Sequence, residues 1–557
     1  MRYVIIGGVA GGASAAARLR RNDEKAEIIL LEKGAHISYA NCGLPYYIGD
    51  VINDRNKLFV QTATSFRQRF NIDTRVLNEA TGINPDAKEI SVRNLETGET
   101  YNLSYDKLIL SPGAAPVRPP LPGIELPGIF TLRNVDDTDR IKEFASKFKR
   151  GKAVVIGAGF IGLEMAENLK HTGMDVTIVE MGNQVLAPAD FPVAAFAQQH
   201  IRSKGVQLRL STTVSGFHID EGQLLVDLKG EDSLKADLVI LSIGVRPDSR
   251  LAEMASLETG SFKGIVVNEY LQTSNEAIYA VGDAIEFKHP LTGKSIPAYL
   301  AGPANKQGRI CANNIVYGNN EKYAGAYGTA IVKLFDLTAA VTGMASKHLE
   351  AAGIPHEVTI THSGSHAGYY PDAEQMTIQL NFAPETGKIL GAQAIGKEGV
   401  DKRIDVISAI MRMGGTVHDL AEFEHAYAPP FSSAKDPVNM AGFVAGNVLA
   451  GTLRTISSKA TWNKSDYDIL LDVRNPDEYQ RGHIPGAINI PVDELRSKLS
   501  KLSPDKKIII YCQIGLRGYL AQRILMQNGF NKVMNISGGY KLWEVCQAEM
   551  AYQQAAS

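Results

Sequence analysis

The sequence predicts an α/β protein of several domains, and three features of the chain lead to this prediction. Apolar residues 3–6 run into a glycine-rich turn, a helical stretch and a second apolar strand that ends at Glu32. The same order of strand, glycine turn, helix and strand returns at residues 153–180. A third pattern follows at residues 507–528, where a strand runs into a short loop and a helix. The first two units predict two Rossmann-like dinucleotide-binding domains, one for a flavin and one for a nicotinamide dinucleotide.

Length, charge and cysteine usage limit the class of protein. A chain of 557 residues is too long for one core, so about three or four domains are expected. The net charge of −2 indicates neither nucleic acid nor an anionic membrane as a partner. Four scattered cysteines cannot form a disulfide framework and fit a reduced, intracellular setting. The first residues lack the layout of a signal peptide, and no apolar run approaches the roughly 18 residues of a membrane span. We therefore expect a cytoplasmic protein, and we predict no bound metal.

The first glycine turn predicts the binding site of FAD. Gly7 and Gly12 would let the backbone approach a pyrophosphate at the start of a helix, whose free N–H groups attract anions. Glu32 would accept the ribose hydroxyls. The usual G-x-G-x-x-G pattern would put its second glycine at Val9, so the pattern is incomplete.

Two later segments complete the predicted flavin site. A strand at residues 108–110 ends in a small-residue turn that contains Ser111 and Gly113. A second short strand ends at Gly282, directly before Asp283. The Asp283 carboxylate would then bind a ribityl hydroxyl, although an ordinary helix N-cap is the alternative.

The second glycine turn predicts the binding site of the nicotinamide dinucleotide. Its pattern is complete, with Gly157, Gly159 and Gly162, and a matching small-residue turn follows at Gly244. Glu180 ends the second strand and would accept both ribose hydroxyls while repelling a 2′-phosphate. Met181 supplies no cation for that phosphate, so NADH is favoured over NADPH.

With these motifs, residues 1–445 resemble the flavoprotein disulfide reductases that contain two dinucleotide-binding domains. The resemblance implies an FAD domain at 1–150 and 240–325, which is interrupted by an NADH domain at 151–239. It also implies an α/β dimerisation domain at 326–445, and hence a homodimer.

The remainder of the chain resembles a rhodanese domain. After a small and polar stretch at 446–459, interpreted as a linker, residues 460–557 have the length and pattern of a compact α/β unit. The resemblance depends on residues 471–479, residues 482–487 and the pair Gly538–Gly539. The chain as a whole resembles the coenzyme A-disulfide reductase–rhodanese fusions, which are NADH-dependent persulfide or polysulfide reductases.

Cys42 is the predicted redox-active thiol of the reductase part. It lies in the stretch 37–46, one loop beyond the first strand–helix–strand unit. Dithiol members of the family carry a second cysteine five residues later, where this chain has Tyr47. Cys42 should therefore pair with an external thiol or cycle through a sulfenate. A small buried residue is the structural alternative.

Two single-cysteine branches of the family compete for this thiol. NADH peroxidases and oxidases carry a histidine at the position of Ala10, and its absence counts against peroxide chemistry. Coenzyme A-disulfide reductases carry the pattern Ser-x-x-Asn-Cys, which Ser38, Asn41 and Cys42 match. In that branch Cys42 alternates between a thiolate and a mixed disulfide with coenzyme A.

Four further residues have roles that the resemblance implies. Arg18 and Arg21 leave the first predicted helix on one face and suit the phosphates of coenzyme A, although solvated charges are the alternative. Tyr369 and Tyr427 belong to the predicted dimerisation domain. The family pattern implies that such tyrosines from the second subunit approach the thiol, where a phenol donates a proton. Interface packing is the alternative for both.

Cys512 is the predicted sulfur carrier of the rhodanese part. Its loop joins a strand to a helix and contains Gly515, and inward N–H groups at a helix N-terminus stabilise a thiolate or persulfide anion. Arg517 closes the loop and is expected to add positive charge. The arginine that usually follows the cysteine is Gln513 here, which argues against an anionic donor such as thiosulfate.

The sequence thus predicts an FAD- and NADH-dependent reductase of coenzyme A disulfide, coenzyme A persulfide or polysulfide. Cys42 would form a mixed disulfide with coenzyme A, and Cys512 would deliver sulfane sulfur. Three alternatives stay open: an NADH oxidase or peroxidase that cycles through a sulfenate, a sulfur-relay sulfurtransferase, and a flavin-based redox sensor with a protein partner. The sequence does not rank the candidate sulfur substrates.

Overall fold

The computed structural model describes residues 1–148, 150–458 and 467–556. Its internal contacts divide the chain into two compact units, Met1–Met181 with Thr212–Gly328 and Gly182–Ser211 with Thr329–Ser557. Part of the predicted NADH domain, 182–211, therefore groups with the second unit. Residue 460, the predicted start of the rhodanese domain, lies outside the described residues.

The first unit opens with the predicted strand, glycine turn, helix and strand. Residues 1–181 contain β1 (Arg2–Ile6), α1 (Ala10–Asn22), β2 (Glu27–Glu32), α2 (Leu44–Ile48), α3 (Ala63–Phe70), β3 (Asp73–Val76), β4 (Asn78–Asn84), β5 (Glu89–Asn94), β6 (Thr100–Ser104), β7 (Lys107–Leu110), β8 (Ala114–Pro116), β9 (Ile129–Thr131), α4 (Val135–Ala145), β10 (Lys152–Ile156), α5 (Phe160–His171) and β11 (Asp175–Val179).

The next part of the chain supplies elements to both units. Residues 182–328 contain α6 (Phe191–Ser203), β12 (Gln207–Arg209), β13 (Val214–Asp220), β14 (Gln223–Leu228), β15 (Leu234–Ala236), β16 (Leu238–Leu241), β17 (Val245–Pro247), α7 (Arg250–Met254), β18 (Ile265–Val266), β19 (Ile278–Ala280), β20 (Ile285–Lys288), β21 (Ser295–Ile296) and α8 (Ala301–Tyr317).

Two parallel sheets of the first unit position its glycine turns. One has the strand order β19-β7-β1-β2-β3, and the other contains β11-β10-β16-β9 in that order. Strands β1 and β10 are central and almost wholly apolar because helices cover parallel sheets on both faces. Each glycine turn follows the carboxyl end of its central strand, where ligands bind in open α/β sheets.

The second unit contains an antiparallel sheet and a parallel sheet. Residues 329–458 contain β22 (Ala330–Leu334), β23 (Leu337–Gly343), α9 (Ser346–Ala351), β24 (Glu357–Gly364), β25 (Gln375–Phe382), β26 (Ile389–Gly396), α10 (Val400–Arg412), α11 (Val417–Glu422), α12 (Pro437–Leu449) and β27 (Thr455–Ile456). Residues 467–556 contain β28 (Ile469–Asp472), α13 (Pro476–Arg481), β29 (Ile488–Asn489), α14 (Val492–Leu495), β30 (Ile508–Tyr511), α15 (Leu516–Gln527), β31 (Val533–Ile536) and α16 (Gly539–Ala556).

The sheet orders separate the predicted dimerisation and rhodanese parts. The antiparallel sheet runs β22-β23-β26-β25-β24, and the parallel sheet runs β27-β31-β30-β28-β29. The segment predicted as a linker, 446–459, begins inside α12 and contains β27, which pairs with β31. The chain therefore enters the parallel sheet before the predicted linker ends.

A buried contact joins the C-terminal helix to α6 within the second unit. Leu542 and Cys546 of α16 pack in one apolar cluster with Phe191, Ala195 and Ile360. In the described part of the chain, no helix combines the length and the apolar character needed to cross a bilayer.

Candidate active sites

The first glycine turn has the close backbone contacts that a pyrophosphate site requires. A Cβ at Gly7 would lie 2.0 Å from the Ser111 carbonyl oxygen, and one at Gly12 would lie 1.9 Å from the Gly7 carbonyl oxygen. Gly7 also has φ +99°, a region that favours glycine. Both positions therefore exclude any side chain, and the turn leaves helix α1 open at its N-terminus.

The acidic residue at the end of β2 is held next to this turn. Glu32 accepts hydrogen bonds from the backbone N–H groups of Gly8, at 2.8 Å, and Gly34, at 2.7 Å. Gly7 and Glu32 line one cavity together with Pro112 and Asp248. This arrangement suits an adenosine ribose, so the residues present fit the flavin dinucleotide.

Ser111, Gly113 and Asp283 are the other predicted flavin-site residues, and Ser111 lies directly beside Gly7 and Gly11 of the turn. Gly113 has φ +77°, and a Cβ there would lie 2.3 Å from a guanidinium nitrogen of Arg133. Burial raises the pKa of Asp283, and the charge of Arg133 opposes that shift. Within the described residues no side chain or backbone N–H donates to Asp283, which leaves its carboxylate for a ligand hydroxyl.

The second glycine turn repeats the geometry of the first. A Cβ at Gly157 would lie 2.4 Å from the Ser242 carbonyl oxygen, and one at Gly162 would lie 2.0 Å from the Gly157 carbonyl oxygen. Glu180 accepts from the Ala158 N–H at 2.8 Å, as Glu32 does in the first turn. Gly159 and Gly244 instead face open space, which a bound dinucleotide can fill.

Cys42 lies in a short 3₁₀ turn, Asn41–Gly43, directly before α2. It is exposed, the other three cysteines of the chain are buried, and none of the four forms a disulfide. Even so, enough protein surrounds the thiol for partial burial to raise its pKa, and the carboxylates of Glu164 and Asp283 raise it further. The protein residues around Cys42 thus oppose its ionisation.

Ser38 and Asn41, which precede Cys42 in the predicted Ser-x-x-Asn-Cys pattern, have unusual environments. Ser38 adopts φ +46°, and its carbonyl oxygen accepts from the Val60 N–H at 2.9 Å. The Asn41 side-chain oxygen is buried and receives no hydrogen bond from any described residue. An unpaired buried acceptor beside a reactive thiol suits a ligand that donates to it.

Tyr46 and Glu164 lie beside Cys42 and were missed by sequence reasoning. Tyr46 follows Cys42 by one helical turn, and its hydroxyl donates to the Glu164 carboxylate at 3.3 Å. Burial raises the pKa of Glu164 to about 7, against the lowering effect of the Tyr46 hydrogen bond. The one available signal was that Glu164 comes two residues after Gly162, on the helix of the nicotinamide unit.

Arg18 and Arg21 lie on α1, as predicted, but in different settings. The Arg18 guanidinium donates to Asn313 at 2.8 Å, so it is already held against α8. Arg21 is exposed. Near them Ser14 donates to Asn305 at 2.5 Å, which adds polar groups to the same pair of helices.

Tyr369 and Tyr427 are brought together in the second unit. Their hydroxyl groups lie 2.9 Å apart, and the side chains are 77% and 48% exposed. The hydrogen bond that the two hydroxyl groups share raises the pKa of Tyr369. Two exposed phenols that share a hydrogen bond form a proton-donating pair open to solvent.

A buried ion pair holds the loops that carry these tyrosines. Arg403 donates to Asp436 at 2.9 Å, and both side chains are almost fully buried. The same guanidinium donates to the Ser365 carbonyl oxygen at 2.8 Å, on the loop of Tyr369. Asp436 also accepts from Ser432, on the loop of Tyr427. One pair therefore fixes both loops.

Cys512 lies at the carboxyl end of β30, and it is 1% exposed. The Gly515 N–H donates to its sulfur at 3.1 Å, and α15 begins at the next residue. The Cys512 carbonyl oxygen accepts from the Tyr540 N–H at 2.8 Å. The loop thus directs the Gly515 N–H, at the N-terminus of α15, towards the thiol, which suits a sulfur anion.

The positive charge predicted for the Cys512 loop is paired with Glu478, a residue that sequence reasoning missed. Arg517 donates through both terminal nitrogens to Glu478, at 2.6 and 2.7 Å. The predicted positive charge of Arg517 is therefore paired. Glu478 lies 39 residues earlier in the chain, and no local pattern connects the two.

Three family models match the chain. Residues 1–303, more than half of the chain, match the pyridine nucleotide-disulphide oxidoreductase model, and residues 329–437 match the dimerisation domain of the same family. Residues 458–546 match the rhodanese-like domain. The predicted fold class, with its α/β dimerisation and rhodanese domains, is confirmed.

Similar proteins support the same grouping. A coenzyme A disulfide reductase from Staphylococcus haemolyticus is 36% identical over 446 residues, which are 80% of this chain and 99% of the relative. The structure of reduced CoADR-RHD from Bacillus anthracis is 49% identical with a TM-score of 0.96 and covers 98% of both chains. A NAD-dependent persulfide reductase from A. fulgidus is 38% identical with a TM-score of 0.91, covering 98% of this chain and all of that one. The chain therefore belongs to the pyridine nucleotide-disulphide oxidoreductase family, as a fusion of such an oxidoreductase with a rhodanese-like domain.

Proposed function

We propose that the protein is an FAD-dependent reductase that uses NADH to reduce coenzyme A disulfide, coenzyme A persulfide or polysulfide. The observation that carries this proposal is Cys42, the one exposed cysteine of the four, which lies directly before α2 and close enough to Asp283, a predicted flavin ligand, for that carboxylate to affect its pKa. The names of the relatives from Staphylococcus haemolyticus and A. fulgidus point to the same substrates. Cys512 would deliver the sulfane sulfur.

The proposed chemistry at Cys42 is a thiol–disulfide exchange. Its thiolate attacks the inner sulfur of coenzyme A persulfide, the bond between the two substrate sulfurs breaks, and hydrosulfide leaves with the electron pair. The product is a mixed disulfide between Cys42 and coenzyme A. When bound, FAD supplies two electrons from NADH, which return this disulfide to two thiols. Tyr369 and Tyr427 would donate a proton to a leaving thiolate.

Ligand preference and assembly follow from individual residues. Glu180 directly follows β11 beside the second glycine turn, and Met181 offers no cation for a 2′-phosphate, so we propose NADH rather than NADPH. Arg18, Arg21, Ser38 and Asn41 would contact coenzyme A. The match to a dimerisation domain supports a homodimer, and four cysteines without a disulfide support a cytoplasmic setting.

Replacement of the two thiols tests the proposal. With NADH and coenzyme A persulfide, Cys42→Ser is expected to lose sulfide release and coenzyme A disulfide reduction together. Cys512→Ser is expected to lose sulfur transfer from donors that load the rhodanese loop. Cys546→Ala, a change at a buried cysteine of the α6–α16 contact, is the matched control and should keep both activities.

Sulfide release that survives in Cys42→Ser would contradict the reductase proposal and favour a sulfur-relay sulfurtransferase. Turnover of hydrogen peroxide at the rate found with coenzyme A substrates would instead favour the oxidase or peroxidase chemistry. Intact mass under non-reducing conditions provides a direct check, because a coenzyme A adduct on Cys42 should disappear with reductant.

A further inference from the structure

The cationic side chains around the Cys512 loop are all engaged by other groups. Arg517 lies in the first turn of α15 and close enough to Cys512 for their charges to interact. Its two terminal nitrogens form a bidentate pair with Glu478, at 2.6 and 2.7 Å, and both side chains are less than one-third exposed. A bidentate pair of this kind has fixed geometry and satisfies the guanidinium.

The second arginine of the site is paired in the same way. Arg474 is 2% exposed and forms a bidentate contact with the fully buried Asp472. A further nitrogen of Arg474 donates to the side-chain oxygen of Gln513 at 3.1 Å. The Arg474 guanidinium also stacks over the ring of Tyr540, 4.1 Å from its centre. Gln513, the residue next to the sulfur carrier, is thus neutral and turned towards an arginine that is itself neutralised.

One lysine, Lys541, also contacts the Cys512 loop. The backbone N–H of Lys541 donates to the Gln513 carbonyl oxygen, but its ammonium group is bound by the Gln375 side chain. Burial lowers the pKa of Lys541, and the Glu374 carboxylate opposes that shift. Among the described residues that contact the loop, each arginine is therefore paired with a carboxylate, and the lysine ammonium donates to a side chain outside the loop.

The charge of a sulfur donor affects how readily the donor binds at such a site. Thiosulfate is a dianion at neutral pH, whereas a persulfide of a small thiol carries one charge on its sulfur at most. A free cation in the site stabilises each additional negative charge of the donor. Without such a cation, the binding free energy is reduced by the cost of removing that charge from water. N–H donors from a loop and a helix N-terminus are enough for a single charge on sulfur.

We propose that Cys512 takes sulfane sulfur from persulfides of small thiols and discriminates against the dianion thiosulfate, and that Glu478 sets this preference by neutralising Arg517. The proposal rests on the sulfur-carrying role of Cys512. The Cys512 thiolate attacks the terminal sulfur of the persulfide, and the bond to the inner sulfur breaks. The donor thiolate leaves with the electron pair, and Cys512 becomes a persulfide.

Single-turnover loading of Cys512 tests this selectivity. Full-length protein with the Cys42→Ser change, which prevents reduction of the product, is mixed with thiosulfate or with glutathione persulfide. The gain of one sulfur atom is followed by intact mass, with the Cys42→Ser/Cys512→Ser protein as a blank. We expect glutathione persulfide to load at least tenfold faster than thiosulfate. Glu478→Gln should raise the thiosulfate rate by on the order of tenfold to hundredfold, with a much smaller change for the persulfide.

The matched control is Asp477→Asn, on the same helix α13. Asp477 pairs with Arg481 at the exposed surface, so this variant makes the same change in charge outside the loop. It should leave the ratio of the two rates as in the parent protein. Thermal unfolding of both variants checks that the domain is intact, and Gln can keep the hydrogen bond that Glu478 accepts from the Asn475 N–H.

The outcomes separate this inference from the proposed function. Equal loading by the two donors, or an equal gain for both in Glu478→Gln, would overturn the selectivity and leave the carrier role of Cys512 in place. Loading by neither donor would overturn the selectivity together with that role. A change of ratio in Asp477→Asn equal to that in Glu478→Gln would show that overall charge, not the Arg517 pair, controls the preference.

Discussion

The buried contact between α16 and α6 predicts that one glutamate fastens the rhodanese part to the rest of the second unit. Glu549 accepts hydrogen bonds from Arg202 at 2.5 and 2.6 Å and from Gln198 at 2.7 Å. The Glu549 side chain is 3% exposed and that of Arg202 is 17% exposed. The Glu549→Ala change removes the carboxylate and leaves both donors in place.

The expected loss in the free energy of unfolding follows from the Arg202 nitrogens that this change leaves unpaired. Two further nitrogens of Arg202 are buried without a partner among the described residues, so Glu549 compensates most of that charge. Removing one partner of a buried ion pair costs about 3 to 5 kcal/mol. The Tyr552 ring lies 3.8 Å from the Arg202 guanidinium and still stabilises the cation, which places the expected loss near 3 kcal/mol.

Tryptophan fluorescence during urea unfolding measures this loss. Both tryptophans, Trp462 and Trp543, belong to the part of the sequence that is predicted to form the rhodanese domain, and Trp543 lies on α16 itself. We expect the midpoint of the fluorescence transition to fall in Glu549→Ala, while NADH-dependent reduction of coenzyme A disulfide stays within about twofold at low urea.

Glu544→Ala is the matched control because Glu544 lies on the same helix, is exposed and accepts one hydrogen bond, from Tyr540 at 3.2 Å. Surface changes of this kind usually alter stability by less than about 0.5 kcal/mol. Equal midpoints for the Glu544 and Glu549 variants would refute the reasoning, because helix propensity alone would then account for the effect.

Three other changes test the remaining site residues. Glu164→Gln should lower the pKa of the Cys42 thiol, since the carboxylate raises it, and should accelerate alkylation by iodoacetamide at pH 7; an unchanged pH profile would contradict this. Asp436→Asn should cost about 3 to 5 kcal/mol in urea unfolding because Arg403 is left buried and unpaired. Burial alone would raise the pKa of Asp436, but hydrogen bonds from Arg403 and Ser432 hold it below its usual value. The stability from this carboxylate is therefore present above about pH 4 and lost as the pH falls through the lowered pKa, a loss that the Asn variant should not show. Tyr427→Phe should reduce turnover of coenzyme A disulfide by about tenfold with an unchanged unfolding midpoint, and full activity would exclude a proton-donating role.

The glycine turns could be predicted from sequence because the constraint on them is local. Gly7, Gly12, Gly157 and Gly162 each lie where a Cβ would meet a backbone oxygen at 2.4 Å or less. The order of strand, turn and helix therefore places them without knowledge of the tertiary structure.

The surroundings of the two thiols could not be predicted in the same way. Tyr46 and Glu164 are separated by 118 residues and meet because α2 packs against α5. Arg517 was expected to charge the Cys512 loop, and its neutralisation depends on a residue of a different helix, α13. Side chains brought together by packing leave no periodic pattern in the chain, so charge balance at a site needs the tertiary structure.

The two thiols differ in a way that bears on the direction of sulfur transfer. At Cys512, the Gly515 N–H donates to the cysteine sulfur and α15 begins at the next residue, a setting that suits a sulfur anion. At Cys42, burial and two carboxylates raise the pKa of the thiol, and a thiolate of higher pKa is the stronger nucleophile once it forms. A thiolate of this kind is also the poorer leaving group in exchange, which favours retention of the mixed disulfide until electrons arrive. The environments of the two thiols thus suit sulfur that is loaded at Cys512 and reduced at Cys42.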